Sequence, residues 1–222
     1  MTLRLYQFAP SPFCAKVSKI LEYKGLEFET IEVDYLERKE LLLVSGQLLV
    51  PVLTFADGEP VADSHRIAIR LEELYPEPTI LPPELAGLHL ALTRYVEGEL
   101  NEILMRVALP AVLQYYRRRG PEREAFYRLL RDREHGAGFC EHTIQAHAEF
   151  HARARQALEP LESALQNKAF LLGRIGLADF ALYGQLHPLR LGGTLELPGP
   201  FSNLSAFFAR MDQISSRLEP TP

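Results

Sequence analysis

Apolar and polar residues alternate from Thr2 to Phe8, with Leu3 and Leu5 on one face and Arg4, Tyr6 and Phe8 on the other, which is the two-residue period of a strand. Ala9-Pro10-Ser11-Pro12 breaks that strand and opens a helix, because serine is a good N-cap and proline fits the first helical position. Phe13, Val17, Ile20, Leu21 and Lys24 follow at helical spacing, and Gly25 supplies a left-handed stop. Glu27 to Val33 is β-rich, whereas residues 35–44, Leu-rich and charged, fit either a short helix or an irregular turn. Val50 to Phe55 reads as a strand, Asp57-Gly58 as a hairpin turn and Pro60-Val61-Ala62 as the returning strand. Asp63-Ser64 caps a helix with Ala68, Leu71 and Tyr75 on one side, and Pro76 closes it.

Pro76 to Pro83 is the most Pro-rich window of the chain and separates two textures. Beyond it only helical patterns occur: about 84–119, with a bend expected at Pro110, then 121–134, 141–166, 177–187 and 201–218. The order βαβ-ββα followed by helices predicts an α/β domain over 1–78 and an all-α helical bundle domain over 84–222. Neither an internal repeat nor a low-complexity tract is visible.

Composition narrows the function classes. The net charge of −5 is carried entirely by residues 1–80, which hold thirteen acidic and eight basic residues, while the rest of the chain is balanced. That leaves no basic footprint for a phosphate backbone, so nucleic acid is not an expected partner. With no long apolar run and no signal-like start, the expectation is a protein of the cytoplasm with no membrane partner. Two cysteines, Cys14 and Cys140, are too few for a disulfide scaffold.

Three short segments could carry chemistry. Ser11-Pro12-Phe13-Cys14 lies where a strand meets a helix N-terminus, and unpaired N–H groups and the helix dipole there favour an anionic sulfur. Ser11 could donate to a ligand's thiolate; equally, Ser11 could only cap the helix and Cys14 only pack beneath it. At Val50-Pro51 a proline opens a strand, which leaves the preceding backbone free to pair with an extended peptide; a trans turn is the default for the bond, cis being the minority form. Asp63-Ser64 would suit an α-amino acid head, Ser64 taking the carboxylate at a helix N-terminus and Asp63 the ammonium, although capping explains the pair as well. His147 and His151 lie one turn apart without a well-spaced third ligand, so a solvated helix face is preferred to a metal site. Tyr95, Met105, Tyr115 and Tyr116 fit either a cleft wall or ordinary core.

Together, Ser11-Pro-Phe-Cys14, Val50-Pro51-Val-Leu and Asp63-Ser64, in that order and spacing, resemble the glutathione transferase superfamily, with its thioredoxin-like domain followed by a helical one. Gly173-Arg-Ile175-Gly176-Leu-Ala178-Asp179-Phe180 is similar to the family's capping box in the helical domain. Here Gly176 stands where Ser or Thr is usual, so the side-chain half of the box is missing and a cap weaker by a few tenths of a kcal/mol is expected.

The resemblance implies the following roles. Val50, before a cis Pro51, would pair its backbone with the cysteinyl part of glutathione. Ser64 would hold the γ-glutamyl carboxylate and Asp63 would approach the amine, and Arg38 or Lys39 would meet the glycyl carboxylate. Phe8 lies in the slot where some classes use a catalytic Tyr. Ser11 takes the position held by the nucleophilic Cys in glutaredoxins and the omega class, and a Ser cannot form a mixed disulfide; Cys14 takes the resolving position. The implied protein is a homodimeric, metal-free transferase that conjugates glutathione to small electrophiles in detoxification. A glutathione-dependent thiol-disulfide reductase using Cys14, or a non-catalytic binding protein, are the alternatives.

Overall fold

The computed structural model describes residues 2–214. Its first part holds β1 (Leu3–Gln7), α1 (Pro12–Tyr23), β2 (Phe28–Glu32), α2 (Lys39–Ser45), β3 (Val52–Thr54), β4 (Pro60–Ala62) and α3 (Ser64–Leu74). The strands form one mixed sheet in the order β2-β1-β3-β4, with β1 parallel to β2 and antiparallel to β3. This is the thioredoxin-like arrangement, and its centre is apolar because Leu5 and Leu53 pair across β1 and β3 with no exposed surface. The stretch left open between residues 35 and 44 contains α2, which Gly46 ends at φ 70°.

The elements of the remaining described chain are helices: α4 (Ala86–Tyr95), α5 (Asn101–Arg117), α6 (Pro121–His135), α7 (Phe139–Gln145), α8 (His147–Ala164), α9 (Leu177–Leu186) and α10 (Ser202–Gln213). Three expectations need correction. The long helix over 84–119 departs from α geometry in a π turn at Val96–Leu100, and α5 runs through Pro110 uninterrupted. The helix expected over 141–166 is two, because Ala146 turns to φ −90° and ψ 16° between α7 and α8. The last helix ends at Gln213, and residues 215–218 of the expected span lie outside the described ones. Among the described residues, no helix is long and apolar enough to cross a membrane.

The two parts meet where α1 packs on α9. A Cβ on Gly184 would overlap the Pro12 carbonyl, so only glycine allows this approach, and the first turn of α1 is fixed by it. The connection is pinned as well: buried Lys24 donates to Glu72 and to the Tyr75 and Pro78 carbonyls, while Glu72 accepts the Ile80 and Leu81 N–H groups.

At the start of α9 the side-chain half of the cap is absent at Gly176, as expected, and another residue takes its place. Asp179 accepts the N–H of Gly176 and of Leu171, each at 2.9 Å, which is the carboxylate half of a capping box. Where the missing hydroxyl would sit, His89 of α4 places its ring, and its Nδ1 accepts the Ala178 N–H at 3.4 Å. Burial lowers the His89 pKa and keeps the imidazole neutral, as an acceptor must be. Gly176→Ser, the change that sequence logic offers as an improvement, therefore drives a Cβ into that ring and is expected to cost about 1–3 kcal/mol. Urea denaturation of Gly176→Ser beside Gly176→Ser/His89→Ala checks this; an unchanged midpoint in the single variant would contradict it.

Candidate functional site

A cleft of about 730 Å³ opens between the sheet-bearing part and the helices α5 and α6. Ser11, Arg38, Val50, Pro51, Asp63 and Ser64 all line it, so six of the eight residues singled out in the sequence come together. Lys39 is exposed and outside the lining, and Cys14 is buried beneath it.

Ser11 is the N-cap of α1, held at φ −79° and ψ 121°, and its Oγ accepts the Cys14 N–H at 3.3 Å. That bond uses a lone pair of the hydroxyl, which keeps its own proton as a donor. Cys14, 1% exposed, is different: burial pushes its thiol up to about 12, against a smaller opposing pull from the Ser11 hydroxyl. A thiol in that condition is a packing group rather than a nucleophile. Phe8 is buried at the cleft edge, its ring 5.0 Å from Tyr35, and carries no hydroxyl.

The Val50-Pro51 peptide is cis, against the default reading of the bond and as the resemblance implies. Because the ladder of β3 starts only at Val52, no backbone group of Val50 is hydrogen-bonded among the described residues. Arg38 sits over the rings of Tyr35 and Phe8, at 4.3 and 4.9 Å. It donates to the Tyr35 and Leu48 carbonyls, which leaves one buried terminal nitrogen with no partner among the described residues. Lys39, the first residue of α2, is exposed and stays outside the cleft lining.

Asp63 and Ser64 start α3. Asp63 has φ 80° and ψ 124°, a strained backbone for a residue with a Cβ, and its Oδ1 accepts the His65 and Arg66 N–H groups. The second oxygen stays available to a cation. Ser64, 5% exposed, accepts at Oγ from Lys16 Nζ at 3.1 Å, so its own proton is also free to donate. Lys16 is 1% exposed, and its ammonium donates to Glu97 Oε1 at 2.6 Å. Glu97 belongs to the π turn and lines the cleft. Burial lowers the Lys16 pKa and Glu97 opposes that loss.

Lys16 and Glu97 were not visible as site residues. On α1, Lys16 is two residues from Cys14 and does not share its face, and only the fold brings Glu97 beside it. The far wall is Leu104, Met105, Ala108, Val112 and Tyr116 of α5 with Tyr127, Leu130 and Arg131 of α6. Tyr95 and Tyr115 instead bond the Ala157 carbonyl and Glu32. His147 bonds the Val107 carbonyl and packs on His151; among the described residues no metal-binding cluster forms.

Family models for the N-terminal and C-terminal domains of glutathione S-transferases match residues 5–79 and 144–210. The chain belongs to the glutathione S-transferase superfamily. A probable glutathione S-transferase of Nicotiana tabacum is 34% identical over 124 residues, covering 55% of this chain and 52% of that protein. Another from the same plant is 29% identical over 182 residues, covering 81% and 67%. The chain thus spans about half to two thirds of the length of these relatives. Among solved structures, a glutathione S-transferase of Ceriporiopsis subvermispora in complex with glutathione is 20% identical with TM-score 0.75, covering both chains fully. Glutaredoxin 2 of Salmonella typhimurium in complex with glutathione is 18% identical with TM-score 0.74, covering 96% of each chain. At such identities the likeness is one of fold, shared by transferases and a glutaredoxin alike.

The Lys16–Glu97 pair makes a stability prediction. Lys16→Met leaves Glu97 largely covered and unpaired, at a cost of about 3–5 kcal/mol, whereas Lys16→Met/Glu97→Met removes both charges and recovers most of it. Denaturant midpoints of the four proteins in the cycle check this, and additive losses would contradict it.

Proposed function

We propose that the protein is a glutathione transferase: it binds glutathione in residues 1–78, stabilises its thiolate, and lets that thiolate attack small electrophiles held against the helices of residues 84–222. The observation that carries the reading is the contrast at the start of α1, where Ser11 lines the cleft and its hydroxyl can donate, while the Cys14 thiol is sealed and hard to ionise. Ser11 then donates to the sulfur anion at the positive end of α1. Bringing a thiol from about 9 to about 6.5 takes roughly 3.4 kcal/mol, and one hydrogen bond to a charged group supplies about 1.5–3 of it, so Ser11 and the helix N-terminus share the task.

The tripeptide is assigned along the same cleft. Its cysteinyl backbone pairs with Val50, its γ-glutamyl carboxylate meets the Ser64 hydroxyl and its amine the free oxygen of Asp63. The glycyl carboxylate meets the unpartnered nitrogen of Arg38, in preference to Lys39. On attack, the carbon–sulfur bond forms, the leaving group departs with its electron pair, and the thiol proton has already passed to solvent. A homodimer in the cytoplasm serving detoxification completes the proposal; the leucines exposed on and after α2, Leu42, Leu43, Leu48 and Leu49, offer apolar surface for a second copy. The reductase reading is disfavoured because it needs Cys14.

The pH dependence of turnover separates the two. The folded site holds the bound thiolate below the pKa of free glutathione, so activity is lost as pH falls through the bound value. Ser11→Ala is expected to raise that acidic limb by about one to two pH units and Cys14→Ala to leave it in place. A limb that moves only in Cys14→Ala, together with loss of disulfide exchange in that variant, would overturn the proposal.

A further inference from the structure

We infer that the electrophile half of the cleft selects small apolar molecules that carry a negative charge, received by Arg131. This rests on the transferase reading and names the substrate class of the same cleft. The wall built by Leu104, Met105, Ala108 and Val112 of α5 is apolar, and Leu130 of α6 continues it. Arg131, next in the chain to Leu130, interrupts that surface with a cation.

Three features distinguish Arg131 from an ordinary surface arginine. Its side chain is only 19% exposed, and its guanidinium lies 5.3 Å from the centre of the Tyr127 ring, so much of its hydration is gone. Among the described residues its buried Nε has no hydrogen-bond partner. Its ion pair with Glu134, at 2.9 Å, is with a carboxylate that is 48% exposed at the cleft rim, where solvent screens the attraction. A poorly hydrated guanidinium whose ion pair is screened gains from an anion that enters on an apolar body and pairs with its charge, while that body covers Leu104 and Val112. Of the other arginines of the lining, Arg38 is already committed to two carbonyls and to the tripeptide, and Arg66 is exposed in the first turn of α3, beside Asp63 and Ser64.

The test compares two aryl chlorides: chlorodinitrobenzene, which is neutral, and a chloronitrobenzoate in which a carboxylate replaces one nitro group. In both, the glutathione thiolate attacks the carbon bearing chlorine, the carbon–sulfur bond forms, the carbon–chlorine bond breaks, and chloride leaves with the bonding pair. At saturating glutathione, Arg131→Met is expected to lower the ratio of kcat/KM for the acid over the neutral substrate about tenfold, through KM. Glu134→Gln, which frees Arg131 from its competitor, is expected to raise that ratio. A ratio unchanged in Arg131→Met overturns the inference, since a structural role would reduce both substrates alike. Should Arg131→Met fail to fold by circular dichroism, Glu134→Gln decides alone, and an unchanged ratio there overturns it. If the unaltered protein conjugates neither chloride, the transferase reading itself fails; calorimetric binding of the chloronitrobenzoate, weakened in Arg131→Met, then still decides the anion site.

Discussion

The Lys16 ammonium lies 1% exposed between Ser64 Oγ and Glu97 Oε1, so the sheet-bearing and helical parts of the chain share one desolvated charge. A lone buried ammonium would lose its proton or unfold the site; with Glu97 at 2.6 Å it is held charged, and Ser64 satisfies a second of its N–H groups. The consequences reach in both directions. Ser64 accepts from Lys16 and keeps its own proton as a donor at the cleft lining, and the π turn is tied to α1. With α1 already seated by Gly184 of α9, the helix N-terminus that carries Ser11 has little freedom left. The electrostatic task at Ser11 depends on that rigidity, because preorganised donors need not reorganise when charge develops.

Charge in the first third of the chain is acidic overall, yet the site proposed for an anionic tripeptide lies there. Local geometry resolves the conflict. The positive features are the starts of α1 and α3, the spare nitrogen of Arg38 and the buried Lys16, while most of the excess carboxylates are distributed on exposed positions where water screens them. Net charge excludes a polyanion that must contact many phosphates, but a ligand gripped at three points reads only those points.

The strand and helix order, the cap at Ser11, the turn at Gly58 and the glycine stop of α1 were legible because each depends on residues a few positions apart. Ser11, Val50-Pro51 and Asp63-Ser64 were legible as chemistry for the same reason, each lying at the junction of two elements. What escaped depends on packing between distant segments. Lys16 looks like a surface lysine until α1 is placed against Ser64 and the π turn, and Arg131 looks like one of several arginines until α6 faces Tyr35 and the cleft. Adjacent Arg38 and Lys39 could not be separated before the start of α2 was known. The break at Ala146 has neither Gly nor Pro to announce it, and Gly176 looked like a defect because its partner, His89, lies far earlier in the chain.

The central claim is that Ser11, and not Cys14, addresses the sulfur of glutathione. A crystal structure of the protein soaked with glutathione tests it most directly. The account predicts the ligand sulfur within hydrogen-bond reach of Ser11 Oγ, with Cys14 still covered beneath the first turn of α1. A sulfur bonded to, or in contact with, Cys14 Sγ, with Ser11 turned away, would contradict it.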